Sequence, residues 1–226
     1  MTTDNMPSGG LYRLFAWLSP SFPTGAFSYS HGLEGEVEAG RVHDRETLQR
    51  WIATMIRHGG GRIDADLLRD AYRGDEVGER GLAYRATAEL ALEASAQGGA
   101  FAATVAAAWT DGPRPSAAGG SRSETGEGIC HAVAVGTTAA GAGVSLEDAL
   151  TLYLQSFAAN LMSAGLRLGI VGQTDGQRIL AALEPVIAEA VAACLVRPRE
   201  DFGAATFAAD IASMRHETQY SRLFRS

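Results

Sequence analysis

The 226-residue chain contains no lysine; all 19 of its basic residues are arginine. This excludes a P-loop lysine, a Schiff-base lysine and a lysine general base. Every cationic side-chain contact must then come from a guanidinium, planar and able to pair bidentately. Cysteine is nearly absent too. Cys130 and Cys194 stand far apart in apolar helical patterns, so they read as buried small hydrophobes in a reducing compartment, and no Cys-x-x-Cys is formed. The chain lacks a charge-free apolar run of about twenty residues, the length a membrane span needs. Residues 1–10 hold Asp4 and no basic residue, unlike a signal peptide. Cytoplasm is the expected location. A basic stripe is missing as well: with a formal net charge of −7, the protein is a poor candidate for nucleic-acid binding.

Strand signals are also wanting. No alternating run bounded by hairpin turns is present, so no strand-to-helix turn is available to carry a nucleophilic Ser or Cys. Five histidines occur, His31, His43, His58, His131 and His216, without a His-Glu-x-x-His or a Glu-x-x-His. No catalytic residue, metal centre or cofactor is assigned.

What the chain has in abundance is helical periodicity, and its 46% hydrophobic content is enough to bury one full core. Leu11, Leu14, Phe15 and Leu18 form one apolar stripe. Leu48, Trp51, Ile52, Met55 and Ile56 form a second, behind Asp44 as N-cap. Gly59-Gly60-Gly61 breaks the chain, and helices are expected over 63–72, 76–95 and 100–109. Residues 111–128 open on a Gly-Pro breaker cluster and continue small, polar and Gly-rich, which predicts a mobile loop inside one domain. A helix is expected over 129–140, its small residues allowing close helix approach. Ser145 then caps a long central helix carrying Leu150, Tyr153, Leu154, Phe157 and Leu161. The next helix starts at Thr174 or Asp175, and Pro185 should kink or split it. The last covers 203–216, with Phe207, Ile211 and Met214 on one face. The fold class is all-α: a single-domain helical bundle of about ten helices spanning residues 1–226.

Three local patterns invite a chemical reading. His31 and Glu34 could face each other on one helix, the basis of an alternative reading as a helical metal-binding protein or enzyme; a surface or capping pair explains them with fewer assumptions. Asp64, Asp66 and Asp70 look like a solvated acidic helix face. Gly172-Gln173-Thr174-Asp175-Gly176-Gln177 has a phosphate-loop flavour, but it joins two helices and lacks the Gly-Lys-Ser/Thr ending, so a tight turn with Thr174 as cap accounts for it.

Longer strings are more specific. Ser19-Pro20-Ser21-Phe22-Pro23-Thr24-Gly25-Ala26-Phe27-Ser28-Tyr29-Ser30-His31-Gly32-Leu33-Glu34 stands near the start. Leu166-Arg167-Leu168 and the 172–177 turn lie in the middle, and Met214-Arg215-His216-Glu217-Thr218-Gln219-Tyr220-Ser221-Arg222-Leu223-Phe224-Arg225-Ser226 ends the chain. In order and spacing these segments resemble the UreF family of urease accessory proteins. The resemblance implies an all-α homodimer that binds the accessory protein UreD (UreH in some organisms), recruits or regulates the GTPase UreG, and supports GTP-dependent nickel insertion into the urease apoprotein. It also implies that the tail at 215–226 is ordered by the UreD-type partner and shapes the surface that receives UreG. The partner-binding residues so implied are Phe27, Tyr29, His31, Arg215, His216, Glu217, Tyr220, Ser221, Arg222 and Leu223. Family members can carry Tyr where Phe27 stands, so only an aromatic packing role is carried over there.

The composition of the tail agrees in part. Tyr220, Leu223 and Phe224 between Arg215, Arg222 and Arg225 are too apolar to sit freely in water. The segment is also too short and too late in the chain to build core, and Tyr and Arg are residues that anchor interfaces. The expectation is a tail stabilised by another protein's surface.

Overall fold

The computed structural model describes residues 8–109 and 128–226; the loop expected at 111–128 lies, apart from Gly128, outside them. The described residues form ten α-helices and no strand. These are α1 (Ser8–Trp17), α2 (Leu33–Glu38), α3 (Arg45–His58), α4 (Gly60–Tyr72), α5 (Gly78–Ala83), α6 (Ala88–Ala108), α7 (His131–Gly141), α8 (Leu146–Arg167), α9 (Gln173–Val196) and α10 (Phe207–His216). The all-α class expected from periodicity is the class observed.

Local chemistry explains the clearest boundaries. The Asp44 carboxylate accepts the Thr47 N–H at 2.8 Å, while the Thr47 hydroxyl accepts the Asp44 N–H at 3.0 Å, a reciprocal cap on α3. Ser145 accepts the Asp148 N–H at 3.1 Å and starts α8, with Glu147 and Asp148 in its first turn. Helix α4 is the central element. Every residue from Ile63 to Ala71 is buried, and α7, α8, α3 and α9 pack around it. Helix α7 comes close because it is built of small residues: a Cβ at Gly136 would overlap the Leu68 carbonyl oxygen.

Several expectations are corrected. The helix expected over 76–95 is interrupted at residues 84–87, where the Thr87 side chain accepts the Leu90 N–H at 3.2 Å and begins α6. Helix α6 then runs through 96–99 without a break; Gly98 is retained because the 129–130 backbone lies directly against it. Pro185 neither splits nor ends α9. Ile179 and Leu183 before it, and Val186, Ile187 and Val191 after it, are all buried, so packing against α3 and α8 offsets the lost backbone bond. Among the described residues α9 is the one helix long and apolar enough to cross a membrane by length and composition, and here one face of it completes the core. Its N-cap is Gly172, without a side-chain bond, so Thr174 is not the cap.

The largest correction concerns Asp64, Asp66 and Asp70, which are buried rather than solvated. Asp64 pairs with Arg85 and accepts a hydrogen bond from the Tyr153 hydroxyl at 3.0 Å. Asp66 faces Arg69 at 3.1 Å and Arg197 at 2.7 Å, and Asp70 binds the Arg69 Nε–H at 2.8 Å. Both cysteines are free and buried, as expected.

Candidate interaction site: the docked C-terminal tail

The candidate site forms where the first long motif meets the end of the chain. Gly25 and Gly32 adopt positive φ (75° and 77°), and His31 does so too at 54°. This conformation favours glycine and is strained for histidine. At Gly32 the backbone of α10 is so close that a Cβ would meet the Ser213 nitrogen at 3.0 Å. These turns bring residues 28–34 alongside the tail. The Arg225 N–H donates to the Ser28 carbonyl at 2.8 Å, and the Ser30 N–H and hydroxyl both donate to the Ser226 carbonyl.

Beneath the tail lie three glutamates. Glu34 accepts the Leu223 N–H at 2.7 Å on one oxygen; on the other it accepts the Phe224 N–H at 3.0 Å and faces His216 Nε2 at 3.2 Å. Glu89 takes His216 Nδ1 at 2.7 Å and pairs with Arg222. Glu93 accepts the Ser226 hydroxyl at 3.0 Å and the Gln97 amide at 2.8 Å, and pairs with His31 Nε2 at 3.0 Å. Burial pushes the His31 imidazole down, but the charge of Glu93 and the hydrogen bond to it outweigh this, and the pKa ends above the usual histidine value.

The tail therefore docks on the body of its own chain, contrary to the reading that it is too short to join the core. Phe224 is buried in the main apolar cluster, and the Arg167 guanidinium lies 4.3 Å from its ring centroid. The residues implied by resemblance divide into two sets. Tyr29, His31 and His216 are buried and turned inward. Phe27, Arg215, Glu217, Tyr220, Ser221, Arg222 and Leu223 remain outside, with Tyr220 fully exposed and Leu223 60% exposed. Glu217 is not idle: it accepts the Ala88 N–H at 3.1 Å, at the start of α6. Arg222 is held by Glu89 with part of its side chain still in solvent.

His31 and Glu34 do not share a helix face, because α2 begins only at Leu33, and each is engaged elsewhere: His31 with Glu93, Glu34 with the tail. Among the described residues no group of three or more His, Cys, Asp or Glu is arranged to hold a metal ion. Glu89 and Glu93 were not singled out from sequence; Arg167 and Ser226 stand in the quoted strings but were given no individual role. A signal existed: Glu89, Glu93 and Gln97 recur every fourth residue along the otherwise Ala-rich α6, a polar stripe that needs a partner.

Beside the tail, a cavity of about 510 Å³ opens between the 19–27 segment and α8. Its walls include Trp17, Phe22 and Phe157, its mouth Phe27, and its floor His31, Glu93, Asp64, Arg85, His131 and Tyr153. The His131 Nε2 is buried and has no hydrogen-bond partner among the described residues; burial lowers the His131 pKa to about 4. Burial first, and Asp64 second, raise the Tyr153 hydroxyl. Burial likewise raises the Cys130 thiol, so neither group is poised as a nucleophile.

Fold and site together define a class: an all-helical protein whose candidate site is a displayed C-terminal peptide on a bed of carboxylates. The comparisons make this specific. The UreF family profile matches residues 42–184. The urease accessory protein UreF of Granulibacter bethesdensis is 46% identical over 99% of this chain and 97% of its own length. That of Rhodopseudomonas palustris strain BisB18 is 45% identical over 97% and 93%, and that of Bradyrhizobium sp. strain ORS 278 is 45% identical over 96% and 92%. The chain belongs to the UreF family of urease accessory proteins. The profile stops short of both terminal strings, whereas the relatives align through nearly the whole chain.

Proposed function

We propose that this protein is a cytoplasmic, homodimeric nickel-insertion chaperone that binds UreD/UreH and, with it, recruits or regulates the GTPase UreG during GTP-dependent metallation of apo-urease. Nickel is the cargo of that assembly, and the chain is assigned no cofactor of its own. The observation that carries the reading is the docked tail: Tyr220, Arg222 and Leu223 face outward from a segment whose backbone is bound to the body at four points. Tyr and Arg on a preordered backbone lose little entropy on binding and are the side chains that dominate interfaces. Phe27, Arg215, Glu217 and Ser221 extend the same exposed set; Tyr29, His31 and His216 support it from beneath.

The test is copurification of the full-length protein with UreD and UreG, comparing the natural chain with Arg222→Ala and Tyr220→Ala. Recruitment predicts that each variant retains UreD but loses at least tenfold in affinity for UreG. If Arg222 instead stabilises phosphoryl-transfer charge as an arginine finger, Arg222→Ala keeps UreG bound and slows GTP hydrolysis. Unchanged binding and unchanged hydrolysis in both variants would remove the tail from the interface.

A further inference from the structure

We infer that Glu34, a buried residue, is the positioning residue that sets which tail side chains are presented. The inference rests on the reading that the outward tail residues meet a partner. Glu34 is 7% exposed and its carboxylate is filled from the tail side alone: two successive peptide N–H groups, at 2.7 and 3.0 Å, and the ring of His216 at 3.2 Å. Two consecutive amides bound to one carboxylate fix the backbone at Leu223 and Phe224. That fixing sends Phe224 into the core and Leu223 to the surface, and it holds Arg222 within reach of Glu89. The remaining bonds from the tail backbone to the body lie beyond this point, at Arg225 and Ser226. Glu34 is thus the body's grip on the backbone of the segment between the α10 terminus and the last two residues, where Glu217 and Arg222 reach the body through their side chains.

The side-chain chemistry is specific. A glutamine has one acceptor oxygen and one NH2, so in either orientation an NH2 meets one of the two peptide N–H donors. An aspartate is one methylene too short to reach both. Glu34→Gln therefore loses the clamp at nearly constant shape, leaving a buried donor unpaired.

The experiment is residue-resolved hydrogen exchange of the full-length protein at neutral pH. In Glu34→Gln, exchange at Leu223 and Phe224 accelerates at least tenfold, while the protected amides of α3 and α8 exchange as before. Natural protection at both tail amides would overturn the inference. Should Glu34→Gln loosen the whole molecule, Leu223→Pro removes one donor from the tail side and leaves the body untouched. It is expected to accelerate exchange at Phe224 alone among the core-facing amides, and unaltered exchange there would overturn the inference equally. A second arm measures UreG recruitment. Glu34→Gln, although its site is hidden from any partner, is expected to weaken recruitment as strongly as Tyr220→Ala, which leaves tail exchange unchanged. If Tyr220→Ala recruits UreG normally, the reading of the tail as an interface fails, whereas the exchange result for Glu34 stands or falls separately.

Discussion

Two histidines on the floor of one cavity are driven in opposite directions by their neighbours. His31, beside Glu93, has a raised pKa, so the stability its charged form contributes is complete below about pH 6.5 and is lost as the pH climbs through the raised value. His131, buried and without a partner at Nε2 among the described residues, has its pKa lowered to about 4. Its neutral form contributes stability above about pH 6.5 that is lost as the pH falls towards 4. Replacing His131 with Gln is expected to flatten the acid limb of stability between pH 6.5 and 4, and His31→Gln the limb above pH 6.5, both read from urea unfolding across pH. Curves parallel to the natural protein's would contradict both assignments. His31 could be named from sequence as part of a notable string, but its partner could not: Glu93 lies 62 positions further on, and only folding brings the two within 3.0 Å.

At the scale of elements, α4 shows how far periodicity reaches and where it stops. Helix position and length are legible from spacing, as are the caps at Asp44 and Ser145, because those depend on neighbours three residues apart. The charge state of the α4 surface is not. Asp64, Asp66 and Asp70 resemble a solvated face until Arg85, from the turn after α5, and Arg197, from the end of α9, converge on them. In a chain without lysine these partners are guanidiniums, which can serve several acceptors at once; Arg69 binds Asp66, Asp70 and the Cys194 carbonyl together. Removing one member of such a buried set strands the others. Asp66→Ala is expected to cost about 3–5 kcal/mol in urea-induced unfolding, well above the ±0.5 kcal/mol of a typical surface change. The unbroken α9 across Pro185 and the interrupted helix before α6 make the same point, since distant packing and a single Thr87 cap decided them.

For the whole molecule, the end of the chain is part of the core. Phe224→Ala is expected to lower stability by about 3–5 kcal/mol, the range for truncating a buried aromatic, because its ring is buried in the main apolar cluster. It should also release the tail, so that trypsin, which cleaves after arginine, cuts at Arg222 and Arg225 before any site in α3 or α8. Simultaneous cleavage throughout would mean that the tail does not open as a separate unit.

The amino-acid sequence by itself determined the helical class, most helix positions, the exclusion of lysine chemistry and the presence of an apolar, arginine-rich terminus, because each follows from local composition or from spacing within a few turns. Tertiary structure alone decided which carboxylates are buried, which tail residues turn inward, and that the tail packs on the body of its own chain. Those outcomes depend on groups that meet across 21 to 196 positions of chain, and burial and pairing at such separations exist only once the fold has closed.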